Sequence, residues 1–517
     1  MPISQLGALN TTALVVPNLY VQIVPPQIAN LNGVPTGILG VVGTAQWGPT
    51  NTPVIIGSMA DYAANFGAVQ NRTFDMGTAV AVAVQQGASN FRCVRVTDGT
   101  DTAASVIVGS TTPEITFTAI STGTLGNEIT VTLTPGGAAD TFNVQIAIPG
   151  FPVENFINIG GTGAAFWANV ANVINNGTGP LRGASKIITA EAGGGTTAPA
   201  AATYTLAGGT DGATTITTAT LVGVDTSPRK GMYALRGQNA SILNLADGTD
   251  TTQWSSVLAF ALSEGVYAIS AFPAGATVAA DITAAQTASI DSYGMKIMHG
   301  DWIYWYDQTN AVTRLVSPAS FVAGLLSNLS PQNSTLNKRL FGIQGSQTFG
   351  LPGTNQAHHY SSADLAALFE AGIDVIGNPA PGGPYWSVLG GINSSLNAAE
   401  NGDNYTRMTN YIASTLSAGM GVYIGRLITP SMLFDVSTTL NSFLANLLQQ
   451  GLLGDPNQTP QPFSVICNAS NNPTTRTDLG YVQADTQVKY AAISRFFIVN
   501  LEGGQTVTVS QQAAPQG

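Results

Sequence analysis

The sequence predicts a multidomain chain of mixed class. It should comprise an α/β core, a β-rich insertion protruding from it, an α+β C-terminal domain and an extended arm at each end. Three observations carry this prediction. Short apolar strands alternate with capped helices over residues 31–97 and again over 226–380, the pattern of an α/β layer. Between them, residues 98–225 alternate Thr with Val and Ile among Gly-rich turns, as short antiparallel strands do. Residues 381–502 hold two longer helical patterns, and residues 1–30 and 503–517 read as arms. At 517 residues, about two to four domains are expected.

In chain order, Leu14–Val24 is β-prone, with Leu19, Val21 and Ile23 on one face and Tyr20, Gln22 and Val24 on the other. Pro17 interrupts its start and Pro25-Pro26 ends it, because proline cannot donate to a ladder. A lone strand is not stable in water, so this one needs a partner. Gly37–Gly43 and Pro53–Gly57 are short buried strands, and Ser58 with Asp61 opens a helix ending near Gly67. A helix over 74–86 leads into the strand Phe91–Val96. The insertion carries strands at Glu114–Ile120, Glu128–Thr134 and Thr141–Ile148 and one helix near 164–175. Helices near 252–264 and 282–293 then alternate with strands at Val266–Ala271 and Met295–His299. Ser317-Pro318 opens another helix, and Ser361 with Asp364 caps one that Gly372 closes. Helices follow at 403–418 and from Thr429-Pro430 to Leu448; Leu433, Val436, Leu440, Phe443, Leu444, Leu447 and Leu448 form an apolar stripe on the second. Strand-like runs at Pro462–Cys467, Gln487–Ala492, Ser494–Leu501 and Gln505–Val509 complete the chain.

Composition narrows the function. Hydrophobic residues make up 44%, enough for real cores, whereas charged residues are only 9%, against about a quarter in an ordinary soluble chain. A surface of Thr, Asn, Ser and Gln repels its own copies weakly, which favours self-association. A secreted β-rich surface-layer protein or adhesin shares this composition. Seventeen basic residues against a net charge of −11, the first of them Arg72, do not make the basic patch that nucleic acid requires. No apolar run reaches the roughly 18 residues of a membrane span. The N-terminal segment lacks the charged start of a signal peptide. Cys93 and Cys467 are too few for a disulfide framework. These features fit a chain made in a bacterial cytoplasm.

Candidate chemistry is thin. No GxxxxGK[ST] occurs, and none of Lys186, Lys230, Lys296, Lys338 and Lys489 follows a glycine, so no nucleotide-driven motor is expected. A serine triad would need His299, His358 or His359 as its base, and no GxSxG elbow is present. His299 beside Asp301 reads as a polar turn pair, and His358-His359 with Asp364 as a solvent-facing loop before a helix cap rather than a metal site. Asp98…Asp101 and Asp247…Asp250 resemble calcium loops only in part, lacking the ligand spacing and the terminal Glu. The aromatic run from Trp302 to Tyr306 fits either a strand packed on both faces or a sugar platform. No catalytic residue, metal ligand or cofactor is therefore assigned. A hydrolase on the α/β scaffold would lack a nucleophile–base pair.

Several segments, in order, resemble the sheath proteins of contractile bacteriophage tails and related injection machines. They are Val16–Val24, Val41–Gly67, Leu206–Gly212 (LAGGTDG), Ser317–Ser327, Gly372–Ile376, Gly390–Asn393, Asn404–Leu416, Ser464–Pro473 and Tyr490–Leu501. The opening departs from the family's PGVYV-like form, with Val16-Pro17-Asn18-Leu19-Tyr20-Val21 in its place, and a GxRT-like motif near Gly390 is missing. The resemblance implies a subtilisin-like layer in the α/β core. It also implies a homo-oligomeric helical tube of stacked hexameric rings around an inner tail tube protein, with baseplate and tail terminator proteins as further partners and the virion tail as location. The arms would exchange strands between neighbours through Leu19, Tyr20, Val21 and Ile23 at one end. Phe496, Phe497, Ile498, Val499, Val507 and Val509 would do so at the other. Helices of the C-terminal domain would face the tube; Asp435 is the only charge on the helix after Thr429, so that contact would be largely uncharged, unless Arg407 and Arg426 meet an acidic tube.

Overall fold

A computed structural model describes residues 3–6, 20–23, 31–109, 111–179, 182–351, 360–377 and 385–501. At the N-terminal end, β1 (Ile3–Leu6) pairs in parallel with β2 (Tyr20–Ile23). The described part of the strand expected over 14–24, Tyr20–Ile23, thus has a partner within its own chain.

The core is a seven-stranded sheet in the order β19-β15-β14-β13-β3-β5-β4. Its members are β3 (Leu39–Gly43), β4 (Pro53–Ile56), β5 (Phe91–Arg95), β13 (Ile242–Leu245), β14 (Tyr267–Ala271), β15 (Met295–Met298) and β19 (Ile373–Asp374). All neighbours are parallel except β4, which runs antiparallel at one edge. Parallel strands are covered on both faces, so β3, β13, β14 and β15 are buried throughout and mostly apolar, interrupted by Asn244, Ser270 and Lys296. One face carries α1 (Met59–Phe66), α2 (Met76–Gln85) and α7 (Pro318–Asn328). A Cβ on Gly324 of α7 would lie 2.5 Å from the Ala83 Cα, so only glycine lets α7 and α2 approach this closely. The other face carries α4 (Thr218–Val222), α5 (Trp254–Glu264), α6 (Val278–Ala288) and α8 (Ser362–Glu370). The antiparallel sheet of β16 (Ile303–Asp307), β17 (Val312–Val316) and β18 (Ile343–Ser346) and the short pair β20 (Ile376–Gly377) and β21 (Ser387–Val388) pack into the first cluster, with α1, α2 and α7.

The chain between β5 and β13 builds a separate β-rich body. One sheet has the order β10-β9-β8-β12, made of β8 (Thr130–Pro135), β9 (Thr141–Ala147), β10 (Glu154–Gly160) and β12 (Ala202–Thr205). The other is β11-β7-β6, made of β6 (Ser105–Val108), β7 (Ile115–Ala119) and β11 (Ile188–Ala192). With α3 (Ala164–Asn176) they enclose their own apolar cluster, into which Trp47 reaches from the core. The joint is polar: the buried guanidinium of Arg95 donates to the carbonyls of Gly48, Thr122 and Asp211.

The last body is formed by α9 (Asp403–Gly419), α10 (Pro430–Gln449), β22 (Phe463–Ile466), α11 (Thr474–Thr477) and β23 (Asp485–Val488). The apolar stripe of α10 is wholly buried, from Leu433 to Leu448, and packs against α9 and β22. It is core, not a partner face.

Candidate assembly site

β22 and β23 pair antiparallel, from Phe463 opposite Val488 to Ile466 opposite Asp485. Period-two alternation turns Phe463, Val465 and Val488 toward the α9–α10 core and leaves Ser464, Ile466 and Gln487 outside. This sheet has only two strands among the described residues, so each has one edge without a strand partner. Such edges are templates for an added strand.

The chain continues from β23 along α9. Tyr490 stacks edge-on against Tyr405 with ring centres 5.7 Å apart and shares a 3.1 Å hydrogen bond with Thr409. Asn404 donates to the Ala491 carbonyl and Arg495 to Asn401. Beyond Arg495 the contacts stop. Phe496 and Phe497 are 88% and 87% exposed, Leu501 is 90% exposed, and Ile498 and Val499 are exposed between them. A strand was expected at Ser494–Leu501; instead the run has no regular structure and pairs with no strand among the described residues, and an unpaired strand is not stable alone. Tyr20, Val21 and Ile23 lie in β2, while Leu19, Val507 and Val509 fall outside the described residues.

What holds the C-terminal body to the core is a buried charge cluster. Lys296 on β15, Asp374 on β19 and Asp403 at the start of α9 are all fully buried. The Lys296 ammonium donates to Asp374 at 2.5 Å, to Asp403 at 3.0 Å and to the Ile392 carbonyl at 2.7 Å. Asp403 also accepts from the Tyr267 hydroxyl at 2.7 Å and from the Thr335 hydroxyl and amide. Burial opposes the charge on Lys296, but Asp374 and Asp403 outweigh it and raise its pKa above the ordinary lysine value. Burial likewise opposes the Asp403 charge, and Lys296 with the Thr335 and Tyr267 donors brings its pKa below the ordinary value. One turn along, Arg407 is brought down to about 10 by burial and donates to the carbonyls of Leu329, Ser330 and Thr36. This cluster went unread in the sequence. Its signal was Lys296 inside the apolar strand Met295–Met298, since a buried cation requires a partner.

The candidates for chemistry that lie among the described residues have structural partners. His299 does not pair with Asp301; its Nδ1 lies 2.6 Å from Asp281 on α6, and both side chains are buried. Asp301 instead accepts from Ser346, Thr348 and Tyr360. A cavity of about 530 Å³ opens beside them, and no serine or threonine hydroxyl bonds to His299 among the described residues. His358 and His359 fall outside the described residues. Asp98 accepts from Thr100, Thr214 and Thr215, and the Thr100 hydroxyl above all holds its carboxyl well below the usual range, so it serves as a turn anchor. Trp302 and Trp305 are buried, whereas Tyr304 is half-buried and Tyr306 exposed, so the strand packs on one face. Among the described residues no group of His, Cys, Asp and Glu is arranged to hold a metal, and no helix is long and apolar enough to cross a membrane.

No protein-family model matches the chain. No curated protein matches it at the level of sequence. Solved structures do. The sheath tail protein of Desulfitobacterium hafniense is 17% identical, with a TM-score of 0.58 over 86% of this chain and 93% of that one. The sheath tail protein Lin1278 of Listeria innocua is 14% identical, with a TM-score of 0.59 over 85% and 90%. The contracted sheath of the extracellular contractile injection system PVC is 11% identical, with a TM-score of 0.54 over 96% and 99%. The likeness carried by the ordered sequence segments therefore extends to three dimensions, and the chain has the fold of the contractile-tail sheath proteins.

Proposed function

We propose that the chain is the structural subunit of a contractile tail sheath, working by assembly and not by catalysis. Copies would polymerise in the bacterial cytoplasm into a helical tube of stacked hexameric rings. The tube would enclose an inner tail tube protein, begin at a baseplate and end at a terminator protein. The observation that carries this reading is the exposed apolar run Phe496–Leu501 in a chain that also offers open edges at β22 and β23. A monomer rarely leaves such a run uncovered, and a strand donated by a neighbour satisfies donor and acceptor together. About five paired residues, at roughly 1 kcal/mol net per hydrogen bond, give several kcal/mol per link before side-chain burial is counted. The N-terminal strand Tyr20–Ile23, which among the described residues pairs with Ile3–Leu6 alone, is the second donor. Repeated head to tail, these links build a filament in place of a closed ring. Contraction is then a change between two packings of bodies that stay linked, and it drives the tube through the host envelope.

Negative-stain microscopy of the expressed protein should show long hollow tubes with a helical lattice. Removing residues 1–24 should leave a folded, soluble subunit that no longer polymerises. Normal tubes from the truncated protein would refute exchange through the N-terminal strand.

A further inference from the structure

Both chain ends are rooted on one helix, α9. At the N-terminal root, the Val34 amide donates to Thr415 at 3.2 Å and Arg407 donates to the Thr36 carbonyl at 3.2 Å. A Cβ on Gly33 would lie 2.0 Å from the Tyr411 hydroxyl, so the backbone there runs flush against the helix. At the C-terminal root, Asn404, Tyr405 and Thr409 hold Tyr490 and Ala491. Arg407, Tyr411 and Thr415 repeat every fourth residue on one face, whereas Tyr405 and Thr409 belong to another. The helix that receives both roots begins at Asp403, the residue locked to the central sheet through Lys296 and Asp374.

We infer that α9 is the yoke of the subunit: it ties the N-terminal arm, which enters the central sheet directly through β3, to the C-terminal arm, and it passes a pull on the latter to that sheet through Asp403, Lys296 and Asp374. The source of the pull rests on the strand-exchange reading; the coupling itself is a property of a single copy. Asp403 and Lys296 compensate each other in a water-free site, so removing one charge leaves the other buried and unpaired, which is strongly destabilising. The loss should release the first turn of α9 and, with it, both roots. A set of independent attachments would release neither.

Hydrogen exchange on the full-length, unpolymerised chain tests this. In Asp403→Asn the Val34 amide, bonded to the Thr415 hydroxyl, and the amides of Asn404–Leu416 should exchange faster together, by about tenfold or more, and Tyr490 should become more reactive to hydroxyl-radical footprinting in the same variant. The β-rich body at 105–205 should keep its wild-type rates. Tyr267→Phe, which removes one hydroxyl from the same cluster, should give a smaller joint acceleration and serves if Asp403→Asn does not fold. Acceleration confined to the start of α9, with both roots unchanged, would overturn the yoke. The readout needs no tubes, so a failed sheath reading would appear separately, by microscopy.

Discussion

Asp75 sits at the N-cap of α2, where its carboxylate accepts from the Thr78 amide and hydroxyl, both at 2.7 Å, and from the Gln70 amide. These bonds favour the charged form, yet burial outweighs them and raises the group from its ordinary 3.8 to about 6. Asp247, which accepts from the Phe74 amide, is likewise pushed up to about 6, chiefly by burial. A carboxyl raised on folding contributes stability that is complete below about pH 4 and is lost as pH rises through 6. For Asp75 the difference from 3.8 to about 6 amounts to about 3 kcal/mol above both values. Asp75→Asn keeps a capping oxygen and removes the titration. Denaturant unfolding should therefore find wild type and variant alike at pH 4 and the variant more stable at pH 7.5, by up to about 3 kcal/mol. Equal stability at both pH values would show that the carboxyl is not raised.

At the scale of elements, α10 separates the two uses of an apolar side chain. Leu444 is 1% exposed between α9 and β22, whereas Phe434 on the same helix is 69% exposed. Leu444→Ala should cost about 2–5 kcal/mol, and Phe434→Ala less than about 0.5 kcal/mol in the isolated subunit. Thermal or denaturant unfolding of the two variants checks both values; comparable losses would mean that Phe434 is packed. The core stripe was legible because it follows a capping threonine and Pro430, and Thr429 does accept from the Met432 amide. Ser58, Ser317 and Ser361 also cap the helices expected of them. Where local chemistry competes with long-range partners, the sequence misleads. The helix expected at 282–293 starts at Val278, because Thr277 caps it, and ends before Ser289, which adopts a left-handed conformation. The partner of His299 lies eighteen residues back on α6, where no local pattern points to it. The short strand Ile3–Leu6 gave no periodic signal, and the run after Ser494 shows strand composition without a strand.

For the whole molecule, the fold separates its own stability from the proposed assembly. Its apolar clusters close without Phe496 and Phe497, which touch solvent on nearly all of their surface. Their contribution to monomer stability is correspondingly small, while in a lattice each would bury a large aromatic surface against a neighbour. Replacing both, Phe496→Ser with Phe497→Ser, should leave the monomer's unfolding free energy within about 0.5 kcal/mol of wild type, and its midpoint correspondingly unchanged. The same change should abolish tube formation and lower aggregation, since the low surface charge gives copies little else to keep them apart. Sedimentation velocity combined with electron microscopy reads both consequences in one sample. Tubes of normal length from the double variant would remove this run from the contact. A lower midpoint in the monomer would place the two rings inside the subunit's own fold.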